Sequence, residues 1–288
     1  MIAAFIDGLF RYQFLQNALL TSIIVGLISG VIGSFIILRG MSLMGDAISH
    51  AVLPGVAVSY MFGFNYIFGA SIFGLLAALS IGFITQKSPL KNDTAIGVVF
   101  SSFFALGIIF ISFAKSSTDL YHILFGNVLA VVDTDILITC VVGVIVLIFV
   151  ALFYKELQLT SFDPTMAQAY GLNIQFFHYA LMFLLTLVAV SSLQTVGTIL
   201  VIAMLITPAA TAYLLTNHLP TMIGLASTFG ILSSVIGLFF SYSYNLASGA
   251  TILTAALFFL LAFFFSPKKG LVFVNREKEM EESTNEKI

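Results

Sequence analysis

The sequence predicts an all-α fold, a polytopic transmembrane helical bundle of eight or nine spans. Three observations carry this. Of 288 residues, 60% are hydrophobic and 8% charged, against about a quarter charged in a soluble domain. Uncharged runs of about 20 residues, the length that crosses a bilayer as helix, recur along the chain. Only short polar turns separate them, so no second soluble domain is expected. The formal net charge of -2 offers nothing to nucleic acid. The single cysteine, Cys140, sits in an apolar run with no internal disulfide partner. Asp7 interrupts the first twelve residues, which lack the basic lead of a cleavable signal.

In chain order, residues 1–14 mix Asp7 and Arg11 with Ile2, Phe5, Leu9, Phe10 and Phe14, as an amphipathic helix lying at the interface would. Residues 17–38, 22 residues without a charge, form the first span. Its Gly26 and Gly30, with Gly33 one turn on, have the spacing that lets two backbones approach closely in lipid. The second span, 47–64, contains Pro54, which lacks an N–H and predicts a kink or break just beyond His50. Spans three and four are expected at 66–84 and 95–114, around a polar loop with Lys87, Pro89, Lys91 and Asp93. Residues 120–132 are apolar but only 13 long, too short to span, and read as a re-entrant or surface helix. Asp133 and Asp135 follow as a solvated loop, or else as cation attractors at a pore mouth.

Span five is expected at 136–153. Residues 155–173 then form the longest polar loop before the tail and contain the grammar of a short helix. Asp163 caps it, Pro164 takes its first position, Ala167 and Ala169 lie within it, and Gly171 supplies the left-handed residue after its end. This element either closes the loop or docks a cytosolic partner. Span six is expected at 176–193, with His178 at the interface, and a tight polar turn at Ser191, Ser192, Gln194 and Thr195. Span seven, 196–215, carries Thr207 and Pro208, which can open the helix and free a carbonyl. Spans eight and nine are expected at 222–242 and 246–265. The chain thus divides into a transmembrane domain, 1–266, and a solvated, disordered tail, 267–288, whose five basic residues match its five glutamates. Counting spans alternately puts Arg39, Lys87, Lys91, Lys155 and the basic tail on one side and only Arg11 and Lys115 on the other. The positive-inside rule then places the tail in the cytoplasm and the N-terminus outside.

The stretch 39–55, RGMSLMGDAISHAVLPG, organises the rest. It lies between apolar runs yet carries Arg39, Asp46 and His50, and ionisable groups at membrane depth mark functional sites by default. Asp46 and His50 are four residues apart, so they share one helix face. Together they can hold a divalent metal ion, or they can form a polar clasp between helices. Oxygen and imidazole ligands suit manganese, iron or zinc, and the lack of thiolate argues against copper(I). Two ligands do not close a cage, but a two-fold dimer would bring two pairs to its axis. His122, in the short apolar segment, either gates or relays metal or makes a local hydrogen bond. No GxxxxGK[ST] loop, HExxH helix or GxSxG elbow is present, so the sequence offers neither a nucleotide-binding loop nor a hydrolytic motif.

Residues 39–57, RGMSLMGDAISHAVLPGVA, resemble the signature of permease subunits of bacterial zinc/manganese/iron ABC importers. STDLYHILFGNVLAV (117–131), SFDPTMAQAYGL (161–172) and VGTILVIAMLITPAATAYLL (196–215) match the same family, most closely its manganese permeases from Gram-positive bacteria. The resemblance implies a type II ABC importer-like permease that works as a homodimer in the bacterial cell membrane. It implies a cytosolic ATP-binding subunit dimer and an extracellular solute-binding lipoprotein as partners. It also implies that 161–172 is the coupling helix, that Asp46 and His50 are metal ligands, and that no cofactor stays bound while manganese, or else zinc or iron, is carried. ATP hydrolysis would then belong to a separate subunit. A stand-alone metal channel or proton-coupled carrier is the competing reading; the short capped helix favours the importer, because a carrier needs no docking element.

Overall fold

The computed structural model describes residues 2–114, 131–244 and 249–266, and every regular element among them is helical. His122, nearly all of the short apolar segment and the tail lie outside the described residues. The helices are α1 (Ile2–Arg11), α2 (Gln13–Leu38), α3 (Ser42–Ala51), α4 (Leu53–Phe62), α5 (Tyr66–Lys87), α6 (Asn92–Ala114) and α7 (Asp133–Leu152). There follow α8 (Tyr154–Phe162), α9 (Pro164–Ala169), α10 (Ile174–Val196), α11 (Thr198–Leu215), α12 (Leu219–Tyr244) and α13 (Gly249–Phe265). Among the described residues six helices, α2, α5, α6, α7, α10 and α12, are long and apolar enough to cross a membrane. The other expected spans correspond to shorter apolar helices, α11 and α13, and to the interrupted pair α3–α4.

The most buried span, α2, forms the centre of the bundle. Its most extensive packing is against α12, and α11, α7 and α10 also touch it. The glycine spacing explains the α12 seam. A Cβ on Gly26 would lie 2.7 Å from the Gly230 carbonyl, and one on Gly30 would lie 2.5 Å from the Ser227 amide nitrogen. One turn further along the same face, Gly33 meets the carbonyl of Leu205 in α11, one helical turn before Pro208. Lipid supplies no hydrophobic drive between helices, so close backbone packing of this kind has to hold them.

Polar contacts sort the helix ends into two sets. At one end Asn17 donates to Asp133 at 2.8 Å, Tyr66 lies 3.4 Å from Asp135, and Gly8 of α1 lies under the Tyr242 hydroxyl. At the other, Arg39 reaches Thr160 and Ser161, and Ser266 donates to the Leu214 carbonyl at 2.6 Å. These groupings agree with the alternation counted from the sequence.

Three sequence expectations change. Asp133 and Asp135 are not loop residues: both lie in the first turn of α7, and Asp135 is buried. Its carboxylate accepts the Val132 amide and the Tyr66 hydroxyl, and a carboxylate at a helix N-terminus meets orphan N–H groups and the positive end of the dipole. The expected turn at Ser191–Thr195 is helix, since Ser191 donates back to the Val188 carbonyl and α10 runs on until Gly197, at φ 80°. The loop after α7 holds two helices, α8 and α9, rather than one.

Candidate metal site

The α2–α3 junction sets the site. α2 ends with Gly40 at φ 64°, and the Met41 amide reaches back to the Ile36 carbonyl at 3.0 Å. Glycine takes that left-handed conformation without a Cβ penalty, so the chain turns sharply and re-enters the bundle as α3. α3 stops at Ala51, and α4 begins at Leu53 with Pro54 in its first turn. Proline has no N–H to give the His50 carbonyl, so the ladder breaks immediately beyond the histidine, as the sequence predicted. Val52 keeps right-handed helical angles, φ −77° and ψ −16°, so the two halves stay nearly in line. His50 lies eight residues into α3, about 12 Å along it.

Asp46 and His50 meet as their spacing requires. His50 Nε2 lies 3.4 Å from Asp46 Oδ1, with side chains 18% and 44% exposed respectively. That is long for a charge-assisted hydrogen bond, which closes to about 2.7–2.9 Å. It suits two ligand atoms flanking one ion: donors about 2.1 Å from a divalent metal at right angles stand about 3 Å apart. Phe100 and Phe104 of α6 stack on each other at 5.7 Å and meet the imidazole edge to face at 5.5 and 5.6 Å. They leave His50 Nδ1 buried with no hydrogen-bond partner among the described residues. Ser49, next to the pair, is fully buried and its hydroxyl also lacks a partner. No third His, Cys, Asp or Glu joins the pair among the described residues. Asp46 is the more open of the two groups, and α6, beside them, is the least buried of the six spans.

The short helix is capped as its sequence predicted. Asp163 Oδ1 accepts the Met166 amide at 2.9 Å and the Thr165 hydroxyl at 2.6 Å. These bonds, the Thr165 one foremost, hold the Asp163 carboxyl below the usual carboxylate range. Pro164 occupies the first position, Gly171 takes φ 80°, and the Leu172 amide returns to the Ala167 carbonyl at 3.0 Å. The two alanines differ: Ala167 is fully buried against the protein, whereas Ala169 is exposed. Phe162, Met166 and Tyr170 are exposed with it.

Sequence reasoning missed one contact. Arg39 Nε donates to Ser161 Oγ at 2.9 Å and Arg39 Nη2 to Thr160 Oγ1 at 2.7 Å, across more than 120 residues. Burial pulls Arg39 down to about 10, so it stays cationic at neutral pH. The only sequence signal was a charge placed against an apolar span with no local partner.

The ABC 3 transport family model matches residues 11–266. The manganese transport system membrane protein MntC of Listeria monocytogenes is 68% identical over 96% of this chain and 99% of its own length. The manganese import system permease protein ScaB of Streptococcus gordonii is 60% identical over 93% of this chain and 97% of its own. Among solved structures, PsaBC from Streptococcus pneumoniae in complex with Fab superposes with a TM-score of 0.86 at 61% identity, covering 93% of this chain and 98% of that one. An inward-facing ABC transporter of metal-chelate type, 19% identical with a TM-score of 0.65, shares the fold. The chain therefore belongs to the ABC 3 transport family.

Proposed function

We propose that this chain is the membrane permease of an ATP-driven importer for manganese, and that Asp46 and His50 hold the ion in transit. The observation that carries the reading is the pair itself: a carboxylate and an imidazole 3.4 Å apart at mid-bundle, with Asp46 left open. A carboxylate is costly at that depth unless something polar covers it. A second copy of the chain, placed against the open side by α6, would supply a second Asp46/His50 pair and close the ion's coordination. Manganese, as a hard ion, suits the carboxylate oxygen, and the relatives at 60–68% identity are named for manganese. A relative named for iron transport in Haemophilus influenzae is 43% identical, so iron, with zinc, is the alternative cargo.

In the chemistry we assign, Asp46 contributes charge and an oxygen, and His50 a neutral imidazole nitrogen. Phe100 and Phe104 keep one side of the imidazole dry, which strengthens the ion's attraction to the carboxylate. The pair is weak enough to release its cargo, as transport requires. Protons compete for both ligands, so uptake falls in acid.

The remaining roles follow from placement. α9, with its own Met166 and Ala169 and the flanking Phe162 and Tyr170 exposed, is the cytosolic coupling helix that seats on a separate ATP-binding subunit dimer. A solute-binding lipoprotein delivers metal at the opposite end, and residues 267–288 are a cytoplasmic tail outside the 1–266 permease domain. The test is ATP hydrolysis by the complex reconstituted in vesicles with its ATPase and binding protein. Manganese should stimulate hydrolysis more than zinc or iron does. Metal uptake that continues without any ATPase would point instead to a channel or proton-coupled carrier.

A further inference from the structure

Arg39 is the residue whose contacts the proposed site leaves unexplained. It closes α2, immediately before the left-handed Gly40 from which α3 departs. Its guanidinium crosses to the last turn of α8, donating to Thr160 and Ser161. Both hydroxyls are already committed as donors: Thr160 Oγ1 to the Glu156 carbonyl at 2.8 Å, Ser161 Oγ to the Leu157 carbonyl at 2.6 Å. Their lone pairs are therefore aimed outward, and the planar fork of Arg39 takes one from each, which a lysine ammonium cannot reproduce. Among the described residues no carboxylate lies within ion-pair distance of Arg39.

The position matters as much as the bond. Two residues after Ser161, Asp163 caps α9, and seven residues after Arg39, Asp46 stands on α3. We propose that Arg39 is the positioning residue that couples α9 to the metal-bearing helix, by fastening the end of α8 to the α2–α3 junction. This rests on the reading of α9 as the coupling helix and of Asp46 and His50 as the metal pair. A displacement of α9 acts on Thr160 and Ser161 through Asp163 and the one-residue break between the helices. Arg39 passes it to Gly40, whose turn is the hinge about which α3 moves. Neutral hydroxyls make a joint that a carboxylate would lock: a cation on two hydroxyls can let go and re-form within a transport cycle, whereas a buried ion pair that loses a partner leaves two stranded charges.

The experiment uses the whole complex in vesicles, with manganese binding, ATP hydrolysis and manganese uptake measured on each preparation. Three variants are compared: Arg39→Gln, the double change Thr160→Val with Ser161→Ala, and all three together. Each should assemble and bind manganese like the unaltered complex and still hydrolyse ATP. Each should lose manganese stimulation of hydrolysis, and uptake per ATP should fall about fivefold to a hundredfold. The triple variant should be no worse than Arg39→Gln alone, because both sets of changes remove one joint. Arg39→Lys, which keeps charge without the fork, should recover little. Additive losses in the triple variant, or full coupling in the double one, would overturn the proposal. The underlying reading is checked separately: if Asp46→Asn imports normally in the same vesicles, that reading has failed, whatever Arg39 does.

Discussion

α2 against α12 and α3 against α6 are both helix contacts inside one apolar bundle, built on opposite terms. The α2–α12 seam is made of small residues: Gly26 on Gly230, and Gly30 on Ala226 and Ser227, backbone to backbone. The α3–α6 contact sets a carboxylate and an imidazole beside two phenylalanine rings, on a helix whose ladder breaks at Pro54. Where helices need only stay together, close van der Waals packing does it and leaves nothing to rearrange. Where, on the proposed reading, an ion enters and leaves, the chain keeps expensive ionisable groups and loosens the backbone next to them. The two contacts should therefore fail differently. Damage to the seam should remove the protein, and damage to the pair should remove the transport.

The largest effect is expected at the seam. Gly30→Leu places a side chain where backbone atoms of α12 lie 2.5–2.6 Å from the new Cβ, so the helices must part. Overpacking costs about 1–3 kcal/mol even where neighbours can give way. The expected outcome is little or no folded permease by detergent size-exclusion chromatography. A well-folded Gly30→Leu protein that fails only in transport would erase the distinction between the two contacts.

That distinction was partly legible in the sequence. The Gly26–Gly30 spacing announced a close helix contact, and the charge-free run around it announced a span, because both follow from local pattern. The Asp46–His50 face and the break at Pro54 were legible for the same reason: each depends on residues four apart. The partners were not legible. Nothing local says that Gly30 meets Ala226 and Ser227, that Phe100 and Phe104 cover His50, or that Arg39 reaches Thr160 and Ser161. Local polarity also misled. Ser191 and Ser192 looked like a turn but are helical, and Asp135 looked solvated but is buried with Tyr66. The Ser191 hydroxyl returns to the Val188 carbonyl of its own helix, and the Asp135 carboxylate takes the Val132 amide at its helix end and the Tyr66 hydroxyl across the bundle, which composition does not reveal.

A smaller effect separates the two alanines of α9. Ala169→Glu puts a charge on the exposed face and should spare assembly while lowering uptake per ATP, by about fivefold to a hundredfold if the coupling is lost. Ala167→Glu buries an unpaired carboxylate against the protein and should lower the yield of folded permease instead. Yield and coupled transport, measured side by side, check both. If Ala169→Glu couples normally with the ATPase bound, α9 is not the docking element.

The central claim is that Asp46 and His50 carry the ion rather than clasp the helices. The most direct measurement is manganese uptake into vesicles by complexes carrying Asp46→Asn or His50→Ala, with Ser49→Ala as the neighbouring control. Loss of a residue that merely orients a ligand typically costs about tenfold to a hundredfold in metal affinity, and loss of a ligand itself should cost at least that. The account predicts assembled complexes whose uptake is abolished for Asp46→Asn and for His50→Ala, and near-normal uptake for Ser49→Ala. Wild-type uptake by both Asp46→Asn and His50→Ala would contradict it and leave the pair a structural clasp.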